Sequence, residues 1–567
     1  MKEEINKIIL KTLKNLGYSE DMPFSVDFSS QEKYGDYSSN VAMVFGKSQT
    51  KNPFDLSREI AAEISTKYKN DFKKVEAVRP GFINFYFSEN VLHIHLREVL
   101  KKKEKFGQSK VGKGEKVLVE YFQPNIAKPL HLGHMRTAII GDALFKILKF
   151  VGYRVESESH MGDWGTQFGL LIAAYKKWGD EKVVSKNPIE ELNKLYIKIN
   201  GEIEKDPELK ERGKQEFVKL EKGDKQNKKL WKQFVKWSMI EFEKAYKILK
   251  IRKADHNWPE SFYENLMPKV LEKLKRRGML AESQGAQIVD LSKYSLGTAI
   301  MIKSDGATTY LLRDLATYIY RKSKGFKKQI YVVDNRQKHT LSQTFKILEL
   351  LGDIEDKAEA VHVDFGFLSL PEGAMSTRRG NVIGPEKLFE EAEKRVLKII
   401  EEKNPRLKNK QAITKQVALG AIKYFDLSHN YKTDIVFDWE QVLNFEGNTG
   451  PYLQYTHART KSLLRKVSGK PKIKLFILKQ AEEQSLVRHM LKYSDMVVLS
   501  ADKYQPNLIA DYLYQLAGKF NNFYHKHRVI DEQDEKIKQS RLGLVTAVAQ
   551  VLKNGLGLLG IEAPEEM

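Results

Sequence analysis

Cysteine is absent from the 567-residue chain. That excludes disulfides, thiol nucleophiles, and zinc or iron–sulfur sites built on thiolates. Long apolar runs are missing too, and none approaches the roughly 18 residues that cross a bilayer. The opening Met1-Lys2-Glu3-Glu4 carries acids and leads into an amphipathic pattern, unlike a secretory signal, so a cytoplasmic location is expected. Acidic residues are in short supply, 74 against 96 basic ones, for a net charge of +22. Such an excess suits a polyanionic partner, although a lysine-rich composition alone would also produce it. What is present is a globular composition, 41% hydrophobic and 30% charged. The length points to about three or four domains.

Residues 1–110 read as a small α+β unit. Ile5, Ile8, Ile9, Leu13 and Leu16 recur at near-helical spacing before Gly17. Strand patterns follow at 24–28 and 82–87. Lys110-Val111-Gly112-Lys113-Gly114 reads as a linker. From 111 to 445 the pattern is strand–helix–strand. It runs as an apolar strand over 116–122, a helical face through Ile140, Leu144, Ile147, Leu148 and Val151, a stop at Gly152, and a strand over 153–157. Strands return at 329–333 and 361–365. Between them, residues about 175–300 are expected to form a mostly helical, highly charged insertion. Residues 446–567 read as nearly all helical.

The segment carrying most chemistry is Pro124-Asn125-Ile126-Ala127-Lys128-Pro129-Leu130-His131-Leu132-Gly133-His134. It sits where a strand passes into a helix, the edge at which parallel sheets bind nucleotides. A helix amino terminus offers unpaired N–H groups to phosphate. Gly133 admits a ligand close to the backbone. His131 and His134 can donate hydrogen bonds to a phosphate that gains charge. A lone His-x-Gly-His would more often be two loop histidines. The preceding Asn-x-x-Lys-Pro, and Arg136 and Gly141-Asp142 beyond, make the pattern specific.

This segment resembles the HIGH signature of class I aminoacyl-tRNA synthetases, in the form typical of arginyl-tRNA synthetases. The likeness extends over essentially the whole chain, and residues 160–169, His-Met-Gly-Asp-Trp-Gly-Thr-Gln-Phe-Gly, share it. The resemblance implies a Rossmann-type parallel-sheet catalytic core with a helical insertion. An amino-terminal domain for the tRNA elbow and a helical, DALR-type anticodon-binding domain would flank it. It implies ATP-dependent activation of L-arginine to arginyl-adenylate, then transfer to the 3′ end of tRNA-Arg, releasing pyrophosphate and AMP. ATP would enter with Mg2+ as its substrate complex. No zinc, no metal held by protein side chains and no membrane partner are expected, and the chain should be a monomer.

The second family signature, KMSKS, appears as Ala374-Met375-Ser376-Thr377-Arg378-Arg379-Gly380, with alanine in place of the leading lysine. Some members lacking that lysine carry one just before the histidine pair, where Lys128 stands. A lysine serves phosphate as a mobile point charge, so its reach matters more than its origin. The implied catalytic set is Lys128, His131, His134, Ser376, Arg378 and Arg379. Pro124, Gly133 and Met375 would complete the ATP site. For arginine, a planar cation with five donors, the natural partners are carboxylates. The resemblance offers Glu120 and Asp314, with Tyr310 on the same helix face as Asp314. Asn125 and Gln337 would hold the amino-acid backbone. Arg459, Asn522 and Tyr524 are candidate tRNA contacts. Two pocket carboxylates argue against a glutamate-specific relative, and absent cysteine argues against zinc–thiol recognition of cysteine. A non-catalytic RNA-binding relative or a small-molecule nucleotidyltransferase are the rivals from other classes.

Overall fold

The computed structural model of the chain describes all residues except 19–21, 30, 49–50, 370–383 and 468–475. Its amino-terminal sheet is antiparallel and has the order β1-β2-β4-β3, with β1 Val26–Phe28, β2 Tyr37–Ser39, β3 Phe72–Val78 and β4 Phe82–Phe87. The helix Lys2–Asn15 buries Ile5, Ile9 and Leu13, four residues apart, so one stripe faces the core. Gly17 then turns the chain with φ 80°. This unit docks on the carboxyl-terminal helices: Tyr37 donates to Asp495 at 2.7 Å, and Arg488 pairs with buried Asp36.

The central sheet is wholly parallel. β5 (Lys116–Glu120) and β6 (Arg154–Ser159) are joined through the helix Leu132–Phe150. β7 (His256–Asn257) follows most of the insertion. The insertion is helical over Pro188–Ile203, Glu208–Glu221 and Lys225–Ile248. The expectation of a mostly helical insertion fails at its end. Residues 281–302 form an antiparallel sheet of β8 (Ala281–Ser283), β9 (Ala286–Asp290) and β10 (Thr298–Ile302). Gly285 and Gly297, both at positive φ, permit the two turns. Val289, Ala299 and Met301 bury one side against the helix Tyr310–Ser323 and β11 (Lys328–Asp334). With β12 (Ala360–Phe365) the order becomes β12-β11-β5-β6-β7. The chain therefore builds outward from β5 first on one side, through β6 and β7, and then on the other, through β11 and β12, and such a switch point opens a crevice at the carboxyl edge. The first strand ends at Glu120, short of the expected 122, because Phe122 adopts φ 58°.

Beyond 446 the described chain is helical: Gly450–Arg465, Ala481–Leu491, Tyr493–Lys503, Asn507–Lys526 and Glu535–Leu558. Thr449 caps the first by accepting from the Tyr452 amide. The final residues return along it: Gln454 donates to the Glu562 carbonyl at 2.8 Å and Arg465 to that of Glu565 at 2.9 Å. Among the described residues no helix is long and apolar enough to cross a membrane.

Candidate active site

The ends of β5, β6 and β11 enclose a cavity of about 490 Å³. At one end stands the histidine pair. His131 is the amino-terminal cap of the Leu132–Phe150 helix, and its Nδ1 accepts from the Gly133 amide at 3.1 Å. His134 Nδ1 accepts from the His131 amide at 3.3 Å, and the two rings stack with centroids 3.8 Å apart. Both Nδ1 atoms accept, so both rings carry their proton on Nε2, which is left to donate. Burial holds both rings' pKa below the ordinary value, His134 far below, so the pair is neutral at pH 7. Lys128 Nζ donates to Gln167 at 3.3 Å and lies over the Tyr196 ring. Arg136 faces away. Fully buried, it binds Asp426 at 2.9 Å and ties this helix to Lys410–Leu427.

Asn125 and Gly162 form an isolated parallel bridge. A Cβ at Gly162 would meet Asn125 Oδ1 at 2.2 Å, so glycine is required for that amide to sit at the wall. Asp163 next to it accepts from the Ser261 amide and hydroxyl at 2.8 and 2.6 Å. That contact draws residues 260–261 of the insertion over the cavity.

The other end is acidic. Glu120, Asp314 and Glu260 all line it, with Tyr310 and His160. Burial raises Asp314 to a pKa of about 6 and Glu260 to about 7. Glu260 Oε2 is buried without a hydrogen-bond partner among the described residues; Arg313 Nη1 is in ion-pair range at 3.6 Å. A buried carboxylate that the protein leaves under-partnered is a site prepared for a cation. Gln337 follows β11 in a short helical turn, exposed at the cavity mouth.

A second groove, of about 660 Å³, crosses the carboxyl-terminal helices. Arg459 lies 4.9 Å from the Tyr455 ring centroid and 5.4 Å from that of Tyr524, and donates to Asn521 at 2.8 Å. Lys408, Arg465 and Lys466 border it. Asn522 is exposed beside it, whereas Phe520 and Phe523 of the same helix are buried in the bundle.

Residues 95–439 match the catalytic-domain model of the class I (R) tRNA synthetases. Residues 3–87 match the arginyl-tRNA synthetase N-terminal domain and 453–567 the DALR anticodon binding domain. The chain belongs to the arginyl-tRNA synthetases. It is 40% identical to the arginine–tRNA ligase of Halothermothrix orenii over 100% of this chain and 99% of that one. The corresponding Clostridium perfringens ligase is 42% identical, over 90% of each chain. The arginyl-tRNA synthetase of Thermus thermophilus superposes with a TM-score of 0.83 at 26% identity, covering both chains fully. The family, class I fold and ligase activity expected from the motifs all hold.

Within this synthetase, the cavity brings together Glu120, Asn125, His131, Gly133, His134, Tyr310, Asp314 and Gln337. Pro124 and Lys128 do not line it. The Pro124 carbonyl accepts from the Gly162 amide at 3.2 Å, and Lys128 reaches the wall through Gln167. Met375, Ser376, Arg378 and Arg379, with Ala374, lie outside the described residues. Sequence reasoning missed Glu260 and His160 as wall residues. His160 opens a recognised motif, so its place was within reach. No local signal marked Glu260, which arrives from the insertion.

Proposed function

We propose that this arginyl-tRNA synthetase holds its substrates along the cavity from the histidine pair to the carboxylates. At one end ATP, with Mg2+ as its substrate complex, lays its phosphates against the helix amino terminus, Gly133 and the Nε2–H groups of His131 and His134. Lys128, Ser376, Arg378 and Arg379 supply charge to the pyrophosphate, and Pro124 and Met375 border the nucleotide. At the other end Asp314, Glu120 and Glu260 receive the guanidinium, with the Tyr310 ring and hydroxyl beside it. Asn125 and Gln337 hold the α-amino and carboxylate end. The arginine carboxylate then attacks the α-phosphorus and pyrophosphate leaves. Next the terminal tRNA hydroxyl attacks the adenylate carbonyl and AMP leaves. Catalysis here is positioning plus stabilisation of developing charge.

The observation carrying this reading is the pair of half-buried, proton-affine carboxylates, Asp314 and Glu260, within one cavity of the neutral histidine pair. Arg459, Asn522 and Tyr524 contact the anticodon loop, where an arginine stacked between tyrosines suits splayed bases and phosphate. The amino-terminal 1–110 takes the tRNA elbow. The enzyme works in the cytoplasm as a monomer, which sedimentation of the full chain tests. The deciding assay is ATP–pyrophosphate exchange with each amino acid, with and without tRNA. Exchange stimulated by arginine alone among them supports the proposal; exchange indifferent to arginine with tRNA present refutes it.

A further inference from the structure

β5 and β6 run parallel, and their register sets Glu120 directly beside Glu158. Both are buried, Glu158 completely. Like charges side by side on neighbouring strands repel, and exclusion of water strengthens that repulsion. Arg321, on the Tyr310–Ser323 helix and itself fully buried, stands between them. Its Nη2 lies 2.5 Å from Glu120 Oε2 and 2.8 Å from Glu158 Oε1, and its Nε lies 2.7 Å from Glu158 Oε2. The Tyr331 ring backs the guanidinium at 5.2 Å.

The sharing is unequal. Glu158 accepts a hydrogen bond from Arg321 Nη2, lies within ion-pair distance of Nε, and also accepts from the Tyr263 hydroxyl at 3.3 Å. His160 Nδ1 stands 3.5 Å away from it. Glu120 has one guanidinium nitrogen and the Gln123 amide at 3.1 Å. Of the two glutamates, only Glu120 borders the cavity. Arg321 therefore pairs with both glutamates, while its directed hydrogen bond goes to Glu158, away from the cavity. Glu120 keeps its place and part of its negative charge.

We propose that Arg321 is a positioning residue for arginine recognition: anchored on Glu158, it grips Glu120 by one oxygen and presents the carboxylate to the substrate cation. This rests on the reading that Glu120 contacts arginine. Arg321 does not touch substrate. It acts by allowing two in-register glutamates to coexist and by fixing which one faces the cavity.

The test is aminoacylation kinetics on full-length variants, with thermal melts to check folding. Replacing Arg321 alone with an apolar residue strands two buried carboxylates, which risks unfolding. The pair Arg321→Met with Glu158→Met removes one charge of each sign and keeps the apolar volume. It is expected to raise the KM for arginine about tenfold, leaving the KM for ATP and kcat at saturating arginine within about twofold. Arg321→Lys keeps the charge without the fork and should raise the arginine KM by a smaller factor. In the wild-type background Glu120→Gln should raise the arginine KM at least tenfold. In the paired background it should add less than about threefold, because Glu120 is already released. A paired variant with wild-type arginine KM, or one in which Glu120→Gln keeps its full effect, overturns the proposal. So does a loss that falls equally on kcat and every KM, the mark of a merely structural role. If Glu120→Gln alone leaves the arginine KM unchanged, the pocket reading itself is what fails.

Discussion

At the carboxyl edge of the central sheet the cavity wall is acidic, with carboxylates that are half-buried or buried. On the carboxyl-terminal helices the groove around Arg459 is basic, aromatic and open. The cavity contains carboxylates whose charge the protein itself disfavours, so a cationic ligand completes them. The groove contains Arg459, lodged against two tyrosine rings, bordered by the exposed Lys408, Arg465 and Lys466. A small rigid cation is selected by desolvated partners that stay unsatisfied without it. A polyanion with exposed bases is held by stacking and by many weak, screened contacts. One chain with a net charge of +22 thus gathers carboxylates at one described cavity and basic side chains at another.

The sharpest way to break this contrast is Asp314→Asn. It removes a half-buried cavity anion that the proposal sets against the substrate cation, and should lower kcat/KM for arginine about a hundredfold to a thousandfold while leaving the tRNA KM unchanged. A comparable rise in tRNA KM would mean that the two regions are not separate. Next in size, Lys128→Ala should slow pyrophosphate exchange about a hundredfold, the scale of one lost transition-state donor. A near-normal rate would remove Lys128 as the replacement for the lysine missing at Ala374.

Arg459→Ala should raise the tRNA KM about tenfold and flatten its salt dependence, with arginine and ATP KM values untouched. The smallest effect is on pH. Asp314 and Glu260 have folded pKa values raised to about 6 and about 7. For such raised groups the fold favours the protonated form, so their stabilising contribution is complete below the ordinary carboxylate range. It is lost as pH rises through about 6 and 7. Arginine binding needs the anions and runs the other way. The arginine KM should fall a few-fold between pH 6 and pH 8, and the arginine-induced rise in melting temperature should grow over the same window. Glu260→Gln should flatten the upper part of that change. The tRNA KM, governed by guanidinium groups that do not titrate there, should stay flat across it.

Local sequence was enough for several features made by residues close in the chain. The cap geometry of His131 and His134, the stop at Gly152, and the burial stripe of Ile5, Ile9 and Leu13 each follow from spacing within a few residues. So does the stacking of Arg459 on Tyr455, one helical turn away. The sheet at 281–302 was not legible, because its strands are short and largely exposed, and in β10 the outward-facing Ile300 hides the alternation that buries Ala299 and Met301. Its two turns carry the only clear signal.

The site divides in the same way. By itself the sequence determined which chemistry the chain carries: a histidine pair at a strand-to-helix junction, a lysine before it, and two acids suited to a guanidinium. Only the tertiary structure decided how that chemistry is shared out. Glu260 reaches the cavity because Asp163 anchors Ser261. Glu120 and Glu158 become neighbours through strand register, and Arg321 comes between them from 163 residues beyond Glu158. Charge interactions among buried groups depend on distance and exclusion of water, and neither is encoded by separation along the chain.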